Sequence, residues 1–239
     1  MGIEIMESED GTLTLYNNSL GEGYHSKHGA LAETHHIFIE NGLKKVLPLG
    51  YNPLNILEVG YGTALNCLAT AHHLSQIKES SDLRYRVNYF AIESTPIDEK
   101  VLLSLNHTQL FTPKFKPSAQ KIYSAPWNSE SLIEREFRLT PLEGDILALP
   151  KEIERTLLER EFHLIYFDPF SPKVSPQLWS VQLFRFIFNR MAERALLVTY
   201  SSKGEVRRAM ERVGLKVERV AGPKGKREIT VATKGSFNL

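Results

Sequence analysis

The chain has a single cysteine, Cys67, in 239 residues. That excludes an intramolecular disulfide framework and a cysteine-rich zinc site. No apolar run approaches the ~18 residues of a membrane-spanning helix. The opening stretch MGIEIMESEDGT is too acidic and too poor in apolar residues to read as a secretory signal. An excess of one charge is also missing: 29 Lys and Arg face 28 Asp and Glu, a formal net of +1. A nucleic-acid partner would therefore have to be met by a local patch. The Gly-Lys-Ser/Thr ending of a phosphate loop and the HExxH of a zincin are both absent, as are internal repeats and low-complexity linkers. The expectation is a soluble cytoplasmic protein without a membrane partner or a metal, built around one main domain.

What is present is an alternation of short apolar runs with amphipathic ones. LNILEV (54–59), YRVNYFAIE (85–93), FHLIYFD (162–168) and RALLVTY (194–200) read as strands. FRLTPLEGD (137–145) reads as a third strand in which Pro141 marks an edge or an end. ALNCLATAHHLSQIKES (64–80), the stretches after Ser94 and Leu149, LWSVQLFRFIFNRMA (178–192) and KGEVRRAMERVG (203–214) read as helices. Residues 110–137, with Pro113, Pro117 and Pro126, read as helical pieces and loop. LKVERVAG and REITVATKG close the chain as a hairpin around PKGK. Such a hairpin suggests a seven-stranded, mostly parallel sheet whose last strand is antiparallel, as in Rossmann-like class I methyltransferases. Residues 1–50 stand apart as an extension packed on the core, with TLTLYNN, a glycine-rich turn at 21–23 and a helix over ETHHIFIENGLKKV. Residues 51–239 would form the main domain.

Chemistry is expected at the carboxyl ends of the strands. EVGYGTALN (58–66) gives a strand, then Gly60 and Gly62 in a turn where backbone can approach a ligand, then a helix. A dinucleotide fingerprint would prefer another glycine where Leu65 stands. Glu93 ends the next strand, where a carboxylate can accept both hydroxyls of a ribose. Asp145 follows the third strand, where it could accept from an adenine amino group or be the helix N-cap before ILAL. Asp168 ends the fourth strand, in FDPFSP. Tyr24, Phe170 and Trp179 would wall a pocket, with Tyr200 a further candidate. Lys224, Lys226 and Arg227 form a basic cluster suited to phosphates, with Lys27 and Lys173 at the rim. The adjacent pair His35 and His36 cannot make the i,i+4 pair of a zincin, so hydrogen bonds or solvent are expected for the histidines.

Five motifs in order are similar to the methyltransferase domain of the bacterial MnmC tRNA-modification enzymes: GYHSKHGALAETHHIFIENG (23–42), LEVGYGTALN (57–66), FAIES (90–94), YFDPFSPKVSPQLW (166–179) and GPKGKREI (222–229). The resemblance covers about residues 10 to 234. It implies transfer of a methyl group from S-adenosylmethionine to the aminomethyl nitrogen at C5 of wobble uridine, with or without 2-thiolation, in tRNA. It also implies that Glu58, Gly60, Gly62 and Asn66 form or support the loop at the donor's methionine end. Glu93 would hold the ribose, Asp145 would lie beside the adenine, Tyr24 near the cofactor, and Asp168 where cofactor and substrate meet. Two departures stand out: DPFSP replaces the family's DGFAP, and Ala64 replaces the last glycine of GxGxG, which adds only a methyl. Without a second GxGxxG unit, the chain is expected to hold no FAD and to depend on another source of the amine, such as a separate FAD-dependent oxidase acting upstream. Other readings stay open at this point: methylation of another small or RNA amine, an NAD-dependent oxidoreductase, or a noncatalytic tRNA-binding protein.

Overall fold

A computed structural model of the chain describes residues 2–80 and 85–236. The polar turn read at Ser80 to Asp82 lies largely outside them. The strands are β1 (Ile3–Glu7), β2 (Leu13–Asn17), β3 (Glu22–Gly23), β4 (Leu54–Val59), β5 (Val87–Glu93), β6 (Ser131–Glu134), β7 (Phe137–Glu143), β8 (Phe162–Phe167), β9 (Met191–Thr199), β10 (Lys216–Ala221) and β11 (Glu228–Thr233). The helices are α1 (Ala30–Thr34), α2 (Lys44–Val46), α3 (Leu65–Ser80), α4 (Glu99–Ser104), α5 (Lys116–Tyr123), α6 (Lys151–Leu158), α7 (Val181–Phe188) and α8 (Gly204–Glu211). A π-helical stretch, His35–Leu43, joins α1 to α2 without a break.

The main sheet runs β10-β11-β9-β8-β4-β5-β7-β6. Strands β9, β8, β4, β5 and β7 are parallel, and β11 is antiparallel to both of its neighbours. The antiparallel last strand is as expected, but the sheet has eight strands among the described residues rather than seven. The additional one is β6, within the stretch read as helical pieces and loop, where α5 also forms. β6 pairs only as far as Ser131 with Leu139. Beyond it, Pro141 on β7 accepts a hydrogen bond from the Asn128 amide at 2.7 Å. A residue's N–H and C=O point to the same side of a strand, so the N–H that Pro141 lacks falls on that uncovered edge. The helix read over 178–192 is shorter. Ser180 caps α7 by accepting from the Leu183 amide at 3.3 Å, and Met191 and Ala192 already belong to β9, whose register against β8 shifts beyond Met191.

Period-two alternation splits the sheet's apolar residues between two faces. Ile56, Tyr89, Leu164, Tyr166 and Val198 pack under α3, α5 and the long N-terminal helical run. Leu57, Phe90, Ile165, Phe167 and Leu197 pack under α6, α7 and α8. The N-terminal run lies close on the first face, because a Cβ on Gly42 would stand 3.1 Å from the Tyr166 ring and 3.2 Å from Val198. From β4 the chain builds outward to β5 and β7, then returns to lay β8 on the other side of β4. That reversal opens a crevice at the carboxyl ends of β4 and β8.

β1, β2 and β3 form a separate antiparallel sheet tied to the start of α1. The Ala32 amide donates to the Asp10 carboxylate at 3.0 Å, and the Ala30 amide donates to Ser8 Oγ at 3.2 Å. The helix start is thus capped from 22 residues away, since Gly29 at the cap has no side chain to offer. Asp10 sits at about 2, below its ordinary 3.8, because bonds from Ser8, Ala32 and Thr12 outweigh its partial burial. A carboxyl held low stabilises the fold above its unfolded value and loses that contribution as pH falls. Asp10→Ala is expected to cost about 1 kcal/mol at neutral pH. In thermal melts, the gap to wild type should close as pH falls from about 4 to about 2.

Candidate active site

The crevice opens into a cavity of about 560 Å³, within the range of small-molecule sites. Gly60, Gly62, Asn66, Glu93, Asp145, Asp168, Tyr24, Phe170 and Lys226 all line it. Glu58, Trp179, Lys224 and Arg227 do not.

The floor is the turn after β4. The Gly60 and Tyr61 amides both donate to Ile92 O at the end of β5, at 3.0 and 3.2 Å, and the Asp168 amide donates to Val59 O at 2.9 Å. Gly60 has φ +90°, and a Cβ there would lie 2.6 Å from the Asp168 carbonyl oxygen. Glycine is thus required by both conformation and contact. Ala64, in contrast, holds φ +63° while fully buried. Its methyl therefore occupies a left-handed position that disfavours any Cβ, a cost of about 1 kcal/mol. The substitution adds more than a methyl.

Glu93 accepts from the Gly62 amide at 3.0 Å through one oxygen and from the Thr95 amide at 2.9 Å through the other. Burial raises its pKa against bonds from Gly62, Thr95 and Ser94. Asp145 accepts from the Leu147 amide at 2.9 Å and so caps the turn after β7 while lining the cavity. The helix N-cap expected for it is instead a turn cap, because α6 begins only at Lys151, after Pro150.

At the other side, Asn66 holds the carboxylates together. Its Nδ2 donates to Glu58 Oε1 and to Asp168 Oδ2, each at 2.9 Å, and its Oδ1 accepts from Thr34 Oγ1 at 3.0 Å. Glu58 is fully buried behind the cavity and also accepts from Tyr89 OH at 2.8 Å. Burial drives its pKa well up. Glu58 therefore stands behind the loop and supports it through Asn66, the second of the two roles the resemblance allowed it, and does not line the cavity. Asp168 reaches the cavity. Burial first, then the nearby Glu33 carboxylate, push its carboxyl from 3.8 up to about 8, against the Asn66 amide and the Lys226 ammonium.

The N-terminal segment roofs this end. Tyr24 and Phe170 meet edge to face with centroids 5.1 Å apart. Glu22 accepts from the Ser171 amide at 3.0 Å and from its hydroxyl at 2.6 Å. Trp179 is a prop rather than a wall: it is buried, donates its indole N–H to Phe170 O at 2.9 Å, and packs edge-on to Phe167. Tyr200 lines the cavity and donates to Pro169 O at 2.8 Å. The basic hairpin divides. Lys224 pairs at the surface with Glu9 at 2.9 Å, and Arg227 is exposed. Lys226 turns inward to Glu33, 4.6 Å over the Tyr200 ring.

Among the cavity residues not singled out in the sequence for this site are His25 and Glu33. His25 lies between Thr14 Oγ1, at 2.6 Å, and Thr63 Oγ1, at 3.5 Å. Burial pushes it down to about 3, so it is neutral at pH 7. Glu33 is buried and accepts from the Ser26 amide at 3.0 Å. A lone acid on an otherwise packed helix was its one local signal; its partner Lys226 lies 193 residues away. His36 bonds Ala221 O at 2.8 Å and His28 bonds Glu9 at 2.8 Å. Among the described residues, no three His, Cys, Asp or Glu side chains gather in a metal-holding group. No helix there is long and apolar enough to cross a membrane.

A family model described as S-adenosyl-L-methionine-dependent methyltransferase matches residues 113–235. The chain belongs to that family. This removes the oxidoreductase alternative and agrees with the antiparallel last strand. The tRNA 5-methylaminomethyl-2-thiouridine biosynthesis bifunctional protein MnmC of Nitrosospira multiformis is 30% identical over 225 residues, spanning 90% of this chain and 34% of that protein. The Azoarcus protein of the same name is 31% identical over 228 residues, 93% of this chain and 34% of its own. The chain thus spans about a third of the length of the curated relatives it matches. The crystal structure of MNMC2 from Aquifex aeolicus superposes with a TM-score of 0.76 at 25% identity, over 100% of this chain and 72% of that one.

In this methyltransferase, Gly60→Ala should abolish donor binding in calorimetry and lower the melting temperature, because the new methyl displaces Asp168. Gly21→Ala is the control: Gly21 also has positive φ, but nothing stands within 4 Å of its Cβ position, so donor binding should be retained.

Proposed function

We propose that the enzyme transfers the methyl group of S-adenosylmethionine to the aminomethyl nitrogen at C5 of wobble uridine or 2-thiouridine in tRNA. The observation that carries this reading is one cavity lined together by Glu93, the glycine turn and Asp168. The names of the relatives lend the acceptor. Glu93 would accept from the ribose hydroxyls and Asp145 from the adenine amino group, and a cavity of about 560 Å³ suits a ligand of the donor's size. When bound, S-adenosylmethionine supplies an electrophilic methyl on a positively charged sulfur.

The residues of the chain do the rest by position. Asn66 fixes the Asp168 carboxyl, and the Tyr24–Phe170 pair closes the roof and offers aromatic surface to a nucleobase. An amine attacks only through a free lone pair, so its ammonium form must first lose a proton. A carboxylate whose acid titrates near 8 is a far stronger base than one near 3.8, but only its ionised fraction can take that proton, so the rate should rise as pH approaches 8. The exposed Lys224 and Arg227 suit tRNA phosphates. tRNA as partner makes the cytoplasm the natural compartment, and the free amine would come from an upstream reaction such as that of a separate FAD-dependent oxidase.

Incubation with methyl-labelled donor and tRNA bearing 5-aminomethyl-2-thiouridine should place label in the wobble nucleoside. No label despite measured binding of donor and tRNA would contradict the reading. Asp168→Asn should lower the rate by about 10²-fold or more, whereas a wild-type rate would remove Asp168 from the chemistry. The same variant should gain stability over wild type as pH rises from about 4 to about 8. Folded Asp168 keeps a proton there that the unfolded chain releases.

A further inference from the structure

We propose that Glu33 and Lys226 are a charge pair that positions and tunes Asp168 for a cationic amine acceptor, with Glu33 the second carboxylate of the acceptor pocket. This rests on the reading of the site as an amine methyltransferase. Both side chains line the same cavity as Asp168, yet they come from opposite ends of the chain. Glu33 sits on α1, held by the Ser26 amide at 3.0 Å. Lys226 sits in the β10–β11 hairpin, closed on Glu33 and lying over the Tyr200 ring.

The groups facing Asp168 are Asn66 from α3, with Glu58 behind it on β4, Glu33 from α1, Lys226 from the hairpin and Tyr200 at the end of β9. Glu22 from β3 also acts on Tyr200. With Asp168 ionised, Glu33, Asp168 and Lys226 sum to one negative charge, so the local complement is one cation. An acceptor ammonium supplies it. One proton then passes from that nitrogen to the Asp168 carboxylate, turning a carboxylate–ammonium pair into a carboxylic acid and a neutral amine, with no change in net charge. Ordinary alkylammonium groups titrate several units above an unperturbed carboxylate. The negative neighbour narrows that gap, and the positive one keeps Asp168 from being trapped as the acid.

Glu33 and Lys226 thus act on Asp168 in opposite senses, whereas a purely structural ion pair would fail the same way when either partner is lost. The test is the carboxyl ¹³C titration of Asp168 in the full chain, assigned with Asp168→Asn. Glu33→Gln, which keeps an acceptor for Ser26, should move the midpoint down by about one pH unit, and Lys226→Gln should move it up by a similar amount. Glu33→Asp should keep it near wild type. The acidic limb of the transfer rate should follow the same two directions. Shifts of one sign, or no shift in either variant, overturn the proposal. If Glu33→Gln does not fold, Lys226→Gln decides alone, an upward shift supporting it and no shift overturning it. A wild type that methylates no aminomethyl nucleoside contradicts the functional reading instead, and the titration is scored separately.

Discussion

Asn66 makes two hydrogen bonds from one amide nitrogen to two carboxyl groups, Glu58 and Asp168, and much of the site depends on that choice. The amide has a single orientation available: its oxygen takes the Thr34 hydroxyl, and its nitrogen meets two acceptors. Through these bonds the first turn of α3 is fixed to the end of β4, to the end of β8 and to the N-terminal helix. A buried carboxyl is costly unless hydrogen-bonded, and here Tyr89 and Asn66 supply the bonds for Glu58. The outcome is a cavity wall in which the Asp168 carboxyl is held at a defined place while its proton affinity is raised.

The N-terminal segment is part of the same construction. It brings Tyr24 and Glu22 onto the loop after Asp168, and it brings Glu33 against Lys226 from the closing hairpin. First and last parts of the chain thus meet over a site laid down by the middle. The hairpin fits there closely, since a Cβ on Gly225 would overlap the His28 ring at 2.2 Å. The charges at this end come from α1, the end of β8 and the hairpin, so the electrostatic setting of Asp168 depends on all three being docked.

Much of this could be read in the sequence. The strand–glycine–helix turn, the acids at three strand ends and the final hairpin are local patterns, and each forms where the pattern put it. What could not be read was set by distant contacts. Nothing near Glu58 indicates that it faces Asn66 and Tyr89 rather than a ligand. Nothing near Lys226 indicates that it turns inward while Lys224, two residues earlier, stays at the surface. Trp179 looked like a pocket wall because of its neighbours Phe170 and Pro172, yet its indole N–H is used to hold the loop. Strand β6 was hidden by the prolines around it, because a four-residue edge strand carries too short an alternation to stand out.

The central claim is that one cavity holds the methyl donor and presents it to Asp168. A crystal structure with S-adenosylhomocysteine tests it most directly. The account predicts Glu93 bonded to both ribose hydroxyls, the adenine beside Asp145, and the sulfur facing the space bounded by Asp168, Tyr200 and Lys226. A ligand bound elsewhere, or one whose sulfur faces away from Asp168, would contradict it.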